Sequence, residues 1–167
     1  ESHKRHYSFF LNNTKFGINE CRVEKAETID STIIYTIISK LNLDYNVLGT
    51  PQILDLDAVF KIDDSSNPVS CKIGALAGEQ KQTVDCKFQN NTAHDIVVVG
   101  DETHEKKIDL DNNTILLENN MICLFDLMYR SLPLKTGETF HVPAFFPGKF
   151  LKLTITINVR EHMEEIE

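Results

Sequence analysis

Apolar residues recur at every second position along most of this chain, and Gly, Pro, Asn and Asp interrupt the alternation at short intervals. HYSFFLN and FGINECRVEK flank an Asn12-Asn13-Thr14-Lys15 turn; TIIYTIISKLNLDYNVLG and PQILDLDAVFKID follow, the second stopped by DDSSNP. AHDIVVVG, HEKKIDL, TILLE, ETFHVPAFF and KFLKLTITINVREH come later. Period-two patterning bounded by turn residues predicts half-buried β-strands. About ten of them in succession, mostly joined by short turns, predict an antiparallel meander. The expected fold is mainly β: a strongly curved sheet or half-barrel, formed as a single domain over residues 1–167.

The segment SCKIGALAGEQKQTVDCKF places Cys71, Ile73, Ala75 and Ala77 before Gly78-Glu79, and Val84, Cys86 and Phe88 after it. Gly at the first central position suits a two-residue type II′ hairpin. In that register Cys71 falls opposite Cys86. Directly opposed strand residues have Cα atoms about 4.5–5.5 Å apart, which a disulfide can bridge. Cys71 and Cys86 are therefore a candidate disulfide; the alternative is two small buried apolar side chains.

One stretch, LLENNMICLFDLMYRSLPLKTGETF over 116–140, departs from the alternation. Met121, Leu124, Phe125 and Met128 follow i, i+3, i+4, i+7 spacing, with Ile122 and Leu127 widening the stripe. Such spacing predicts a short α-helix, about residues 119–132, capped by Asn119 or Asn120 and ended at Pro133. So apolar a helix must lie across the concave face of the sheet or plug one end of it, closing the core that a curved meander leaves open. Two outcomes follow. Either side chains fill the concavity, or it stays open as an apolar pocket walled by Met121, Leu124, Phe125 and Met128, with Phe140, Phe145 and Phe146 from the strands. On the narrow polar face Asp126 and Arg130 stand four apart in the favourable order for an ion pair. Arg130 is thus either the partner of Asp126 or an anchor for a ligand's anionic head.

Composition narrows the function. A formal net charge of −8 opposes binding to nucleic acid or anionic lipid surfaces, and no apolar run reaches the length of a membrane span. The chain begins at Glu1 without a signal-peptide pattern, as expected of a processed product or an excised piece. Three NNT triplets, at 12–14, 90–92 and 112–114, are formal glycosylation acceptors, and turn formation accounts for them. Acidic DLDAVFKIDD alternates so that most of its carboxylates face solvent.

Catalytic and metal patterns are sparse. The six histidines never fall at i, i+4, and no cysteine pair has C-x-x-C spacing. No Walker loop, G-x-S-x-G elbow or GxGxxG occurs. Cys123 near the helix start could be activated with His141 as its base, but Ile122 and Leu124 beside it suit an inert buried thiol better. No enzyme activity and no cofactor are expected.

The run LLENNMICLFDLMYRSLPLKTGETF followed by HVPAFFPGKFLKLTITI resembles the C-terminal half of bacterial domain-of-unknown-function family 3108. Its short helix, the Pro-Leu-Lys turn and the last strands carry the likeness. The resemblance implies a lipoprotein-carrier-like half-barrel of the cell envelope, at times beside transglutaminase-like modules. It implies no catalytic residues. The leading expectation is a non-catalytic extracytoplasmic module, periplasmic or at the cell surface, that binds a lipid or other apolar ligand or segment in its concavity. The alternative is a structural or interaction domain of a larger bacterial surface protein, with a filled core and a neighbouring domain in a longer chain.

Overall fold

The computed structural model describes residues 3–29, 31–47, 50–119 and 121–160. Its first eight strands are β1 (His3–Leu11), β2 (Thr14–Ile29), β3 (Thr32–Val47), β4 (Thr50–Asp63), β5 (Pro68–Ala77), β6 (Gln80–Gln89), β7 (Thr92–Val99) and β8 (Glu102–Asp109). They pair only with their sequence neighbours, all antiparallel, in one sheet of order β1 to β8. The outer strands β1 and β8 do not pair with each other, so the sheet is an open, curved half-barrel and not a closed one.

Turn chemistry sets the joints. Asn12-Asn13 and Asn90-Asn91 both adopt positive φ at both positions, a conformation that asparagine tolerates better than most residues and that two-residue hairpin turns of type I′ demand. Two of the three NNT triplets are therefore hairpin turns. Gly78 has positive φ and Glu79 does not, as a II′ turn requires, and Cys71 stands opposite Cys86. The expected register of this hairpin is met.

Strand alternation sends one face of the sheet inward. One inner row crosses six strands as Val23, Ile37, Phe60, Cys71, Cys86 and Asp95. The adjacent row runs Cys21, Ser39, Ala58, Ile73, Val84 and Val97. The opposite face carries cross-strand ion pairs at directly opposed positions, Lys40 with Asp57 at 3.3 Å and Lys72 with Asp85 at 3.4 Å. Exposed pairs of this kind contribute little to stability. They mark a solvated face.

The remaining elements cover the inner face. They are β9 (Ile115–Leu116), α1 (Ile122–Ser131), β10 (Thr139–Phe146) and β11 (Leu151–Asn158). β9, β10 and β11 form a second sheet, in which β10 pairs antiparallel with β11 and parallel with the short β9. The last strands thus leave the meander and lie over it. The β10–β11 turn reaches the first sheet directly: the Gly148 N–H donates to Asp95 Oδ2 at 3.0 Å. One hydrophobic cluster joins the inner rows of the first sheet to β9, α1 and β10.

The helix is the expected one with a different start. Met121 occupies the N-cap position and makes no side-chain capping bond, so Asn119 does not cap it, and Asn120 lies outside the described residues. Fully buried Met121 replaces a polar cap because burying its side chain gains more than one hydrogen bond to a backbone N–H returns. The helix ends where expected: Leu132, before Pro133, is extended, since a residue preceding proline is pushed out of the helical region.

Candidate functional site

α1 lies against the concave face through Cys123, Leu124 and Met128, which are buried together with Met121. Phe145 and Phe146 reach the same core from β10 and are buried; Phe125 and Phe140 are half-buried against it. All seven residues expected to line a pocket therefore converge on one cluster. They converge by packing. Phe145 meets Phe88 edge-on at 6.1 Å between ring centroids, a favoured aromatic geometry. Between helix and sheet the remaining cavity is about 60 Å3, walled by Ile37, Ile62, Leu116, Leu124, Leu127 and Met128.

Larger depressions are open ones on the outside. One of about 500 Å3 lies among the turn residues Asn67, Asn90, Asn91 and Asn112. Another, about 530 Å3, sits on the outer face around Gly74, Ile38 and Val59. A third of about 530 Å3 is at the hairpin tips by Phe16 and Tyr45. None of these three includes the helix; a fourth, about 450 Å3, lies at the C-terminal end of α1 and is lined by Ser131, Leu132, Ile115 and Val142.

Asp126 ties α1 to the sheet edge. Arg130 Nε donates to both its oxygens, at 3.0 and 3.1 Å. Arg5 on β1 pairs with Asp126 Oδ2, and the Tyr7 hydroxyl donates to the same oxygen at 3.3 Å. Arg130 is thus an ion-pair partner of Asp126 in this structure, and Arg5, which the sequence did not suggest, is a second. Nothing in the sequence spacing could place residue 5 beside residue 126.

Several polar groups sit inside the core. Asn19 Nδ2 donates to Ser39 Oγ at 2.8 Å and to the Lys40 carbonyl at 3.0 Å, while its Oδ1 has no partner. Asp95 is fully buried; burial raises its pKa against the Gly148 N–H and nearby His94, and its Oδ1 also lacks a partner. Glu118 is buried beside it, accepts from the Asn119 N–H at 2.9 Å, and has its pKa pushed up by burial to about 7, with Lys149 opposing. Sequence reasoning passed over these three. Asp95 had a signal, since it shares parity with Ala93 and Val97 in AHDIVVV and alternation alone sends it inward.

All four cysteines are buried free thiols. Cys71 and Cys86 are opposed as the hairpin register requires, yet the candidate disulfide between them is not formed in this structure. The Cys71 thiol is held in its protonated form by its hydrogen bond with Cys86 and by burial. His141, considered as a base for Cys123, instead hydrogen-bonds Thr156 Oγ1 at 3.2 Å on the exposed side of β10. Among the described residues no group of three or more His, Cys, Asp or Glu is placed to hold a metal ion, and no helix is long and apolar enough to cross a membrane.

No family model, curated protein or solved structure matches the chain.

Proposed function

We propose that this domain is a non-catalytic structural or interaction module, with its concave face closed by its own helix and its partners met from outside. The observation that carries this reading is the space left under α1. About 60 Å3 remains there, against about 300–1,000 Å3 in pockets that hold small ligands. Met121, Phe145 and Phe146 are buried in the core and do not wall this space; of the expected pocket residues only Leu124 and Met128 do. The helix–turn–strand motif supports an extracytoplasmic setting within a larger bacterial surface protein.

The apolar-ligand reading draws support from the lining of the same remnant, which is mostly aliphatic around Met128, with Ser66 and Ser131 also in the wall. A lipid chain would enter by displacing the helix, taking over contacts that Leu124 and Met128 now make. Native mass spectrometry of the purified, non-reduced domain separates the two. The interaction module is expected to appear at the mass of its bare chain. A retained, lipid-sized mass that is lost on denaturation overturns it in favour of the carrier.

A further inference from the structure

The four cysteines form two exclusive pairs. Cys71 and Cys86 oppose each other on β5 and β6. One inner row away, Cys21 on β2 stands opposite Ser39 on β3. Cys123, in the first turn of α1, is pressed onto that spot: its Sγ donates to Ser39 Oγ at 3.6 Å, on the residue directly opposite Cys21. Both are buried. No cysteine is left over, since each falls beside one other in the fold. Buried thiols that serve only as small apolar side chains have no reason to segregate into neighbours two by two. A disulfide framework requires it.

We propose that Cys21 and Cys123 are an oxidisable dithiol which, together with Cys71 and Cys86, locks α1 onto the sheet in an oxidising compartment. The reaction is thiol–disulfide exchange with an oxidant that is itself a disulfide, either a small molecule or an oxidoreductase. The Cys123 thiolate attacks one oxidant sulfur, the oxidant's S–S bond breaks, and one thiolate departs. Cys21 then gives up its proton and attacks Cys123 Sγ, expelling the oxidant's second half as a thiolate. The protein loses two protons and two electrons, and the oxidant becomes two thiols. Cys123 is the attacking sulfur because it lies in the first turn of α1, where the unpaired backbone N–H groups of a helix start favour a thiolate.

The bond would supply what the helix start lacks. Without a side-chain cap, that end of α1 is held by packing and by the contacts around Ser39. A Cys21–Cys123 link would join it covalently to a strand about a hundred residues earlier in the chain, so that lifting the helix needs reduction. This holds whether or not the concavity takes a ligand.

The test is disulfide mapping of the whole chain, reduced, unfolded in urea and refolded in a mixture of oxidised and reduced glutathione, which gives the oxidant access to thiols that the fold buries. The expected product is four hydrogens lighter, with peptides joined as Cys21–Cys123 and Cys71–Cys86. In Cys71→Ser the Cys21–Cys123 link still forms. In Cys123→Ser, or Cys123→Ala, Cys21 stays open to alkylation while Cys71–Cys86 forms. Refolded wild-type protein in which Cys21 and Cys123 both remain alkylatable, or join other cysteines, overturns the proposal.

Discussion

Glu118 offers the sharpest check on how dry the covered face is. Burial raises its pKa from 4.5 to about 7, Lys149 and the Asn119 N–H pull it down, and Asp95 adds to the rise. The difference, 7 − 4.5 or about 2.5 units, corresponds to about 3 kcal/mol at 1.36 kcal/mol per unit. The folded protein holds this proton more tightly than the unfolded chain. Its contribution to stability is therefore fully present below about pH 4.5 and is lost as the pH rises through about 7. Glu118→Gln keeps the shape and an oxygen to accept from Asn119, and removes the titration. Urea unfolding at about pH 4 should give wild type and variant similar midpoints, and at about pH 8 the variant should be more stable by up to about 3 kcal/mol. The same stability difference at both pH values would refute the reasoning, because it would mean that Glu118 titrates in the fold as it does in water.

Three other substitutions probe packing, backbone and charge. Phe145→Ala removes a fully buried ring packed on Phe88 and should cost about 3–5 kcal/mol in urea unfolding; a loss below about 1 kcal/mol would mean the covered face is not a close-packed core. Gly148→Ala should destabilise by more than about 1 kcal/mol, since φ is +78° and a Cβ would lie 2.9 Å from Val84 Cγ2, whereas Gly74→Ala, where a Cβ meets nothing within 4 Å, should be neutral or mildly stabilising. Equal thermal shifts for the two glycine variants would contradict this. Asp126→Asn should cost only about 1 kcal/mol or less, and the loss should shrink in high salt, because Arg5 and Arg130 are both substantially exposed. A large loss that is independent of salt would show that Asp126 holds the helix in some way other than by charge.

How far the chain's own pattern reaches is visible element by element. The Gly78-Glu79 turn, the Cys71–Cys86 register and the Asn12-Asn13 turn follow from two-residue turn chemistry and period-two alternation, which act within a few residues. The helix stripe and its end before Pro133 are equally local. The helix start was not: the polar asparagines offered a cap, and burial of Met121 decided otherwise.

What the sequence by itself determined is a meander of strands with one apolar helix, because each element's period and each turn's residues are short-range properties. The tertiary structure alone decided that β10 and β11 leave the meander for a second sheet, that Arg5 reaches Asp126, and that Cys123 reaches Ser39 opposite Cys21. It also decided how much space remains under the helix. That volume is a small difference between the room a curved sheet encloses and the bulk of the side chains sent into it from β2 to β10, and no stretch of sequence carries it.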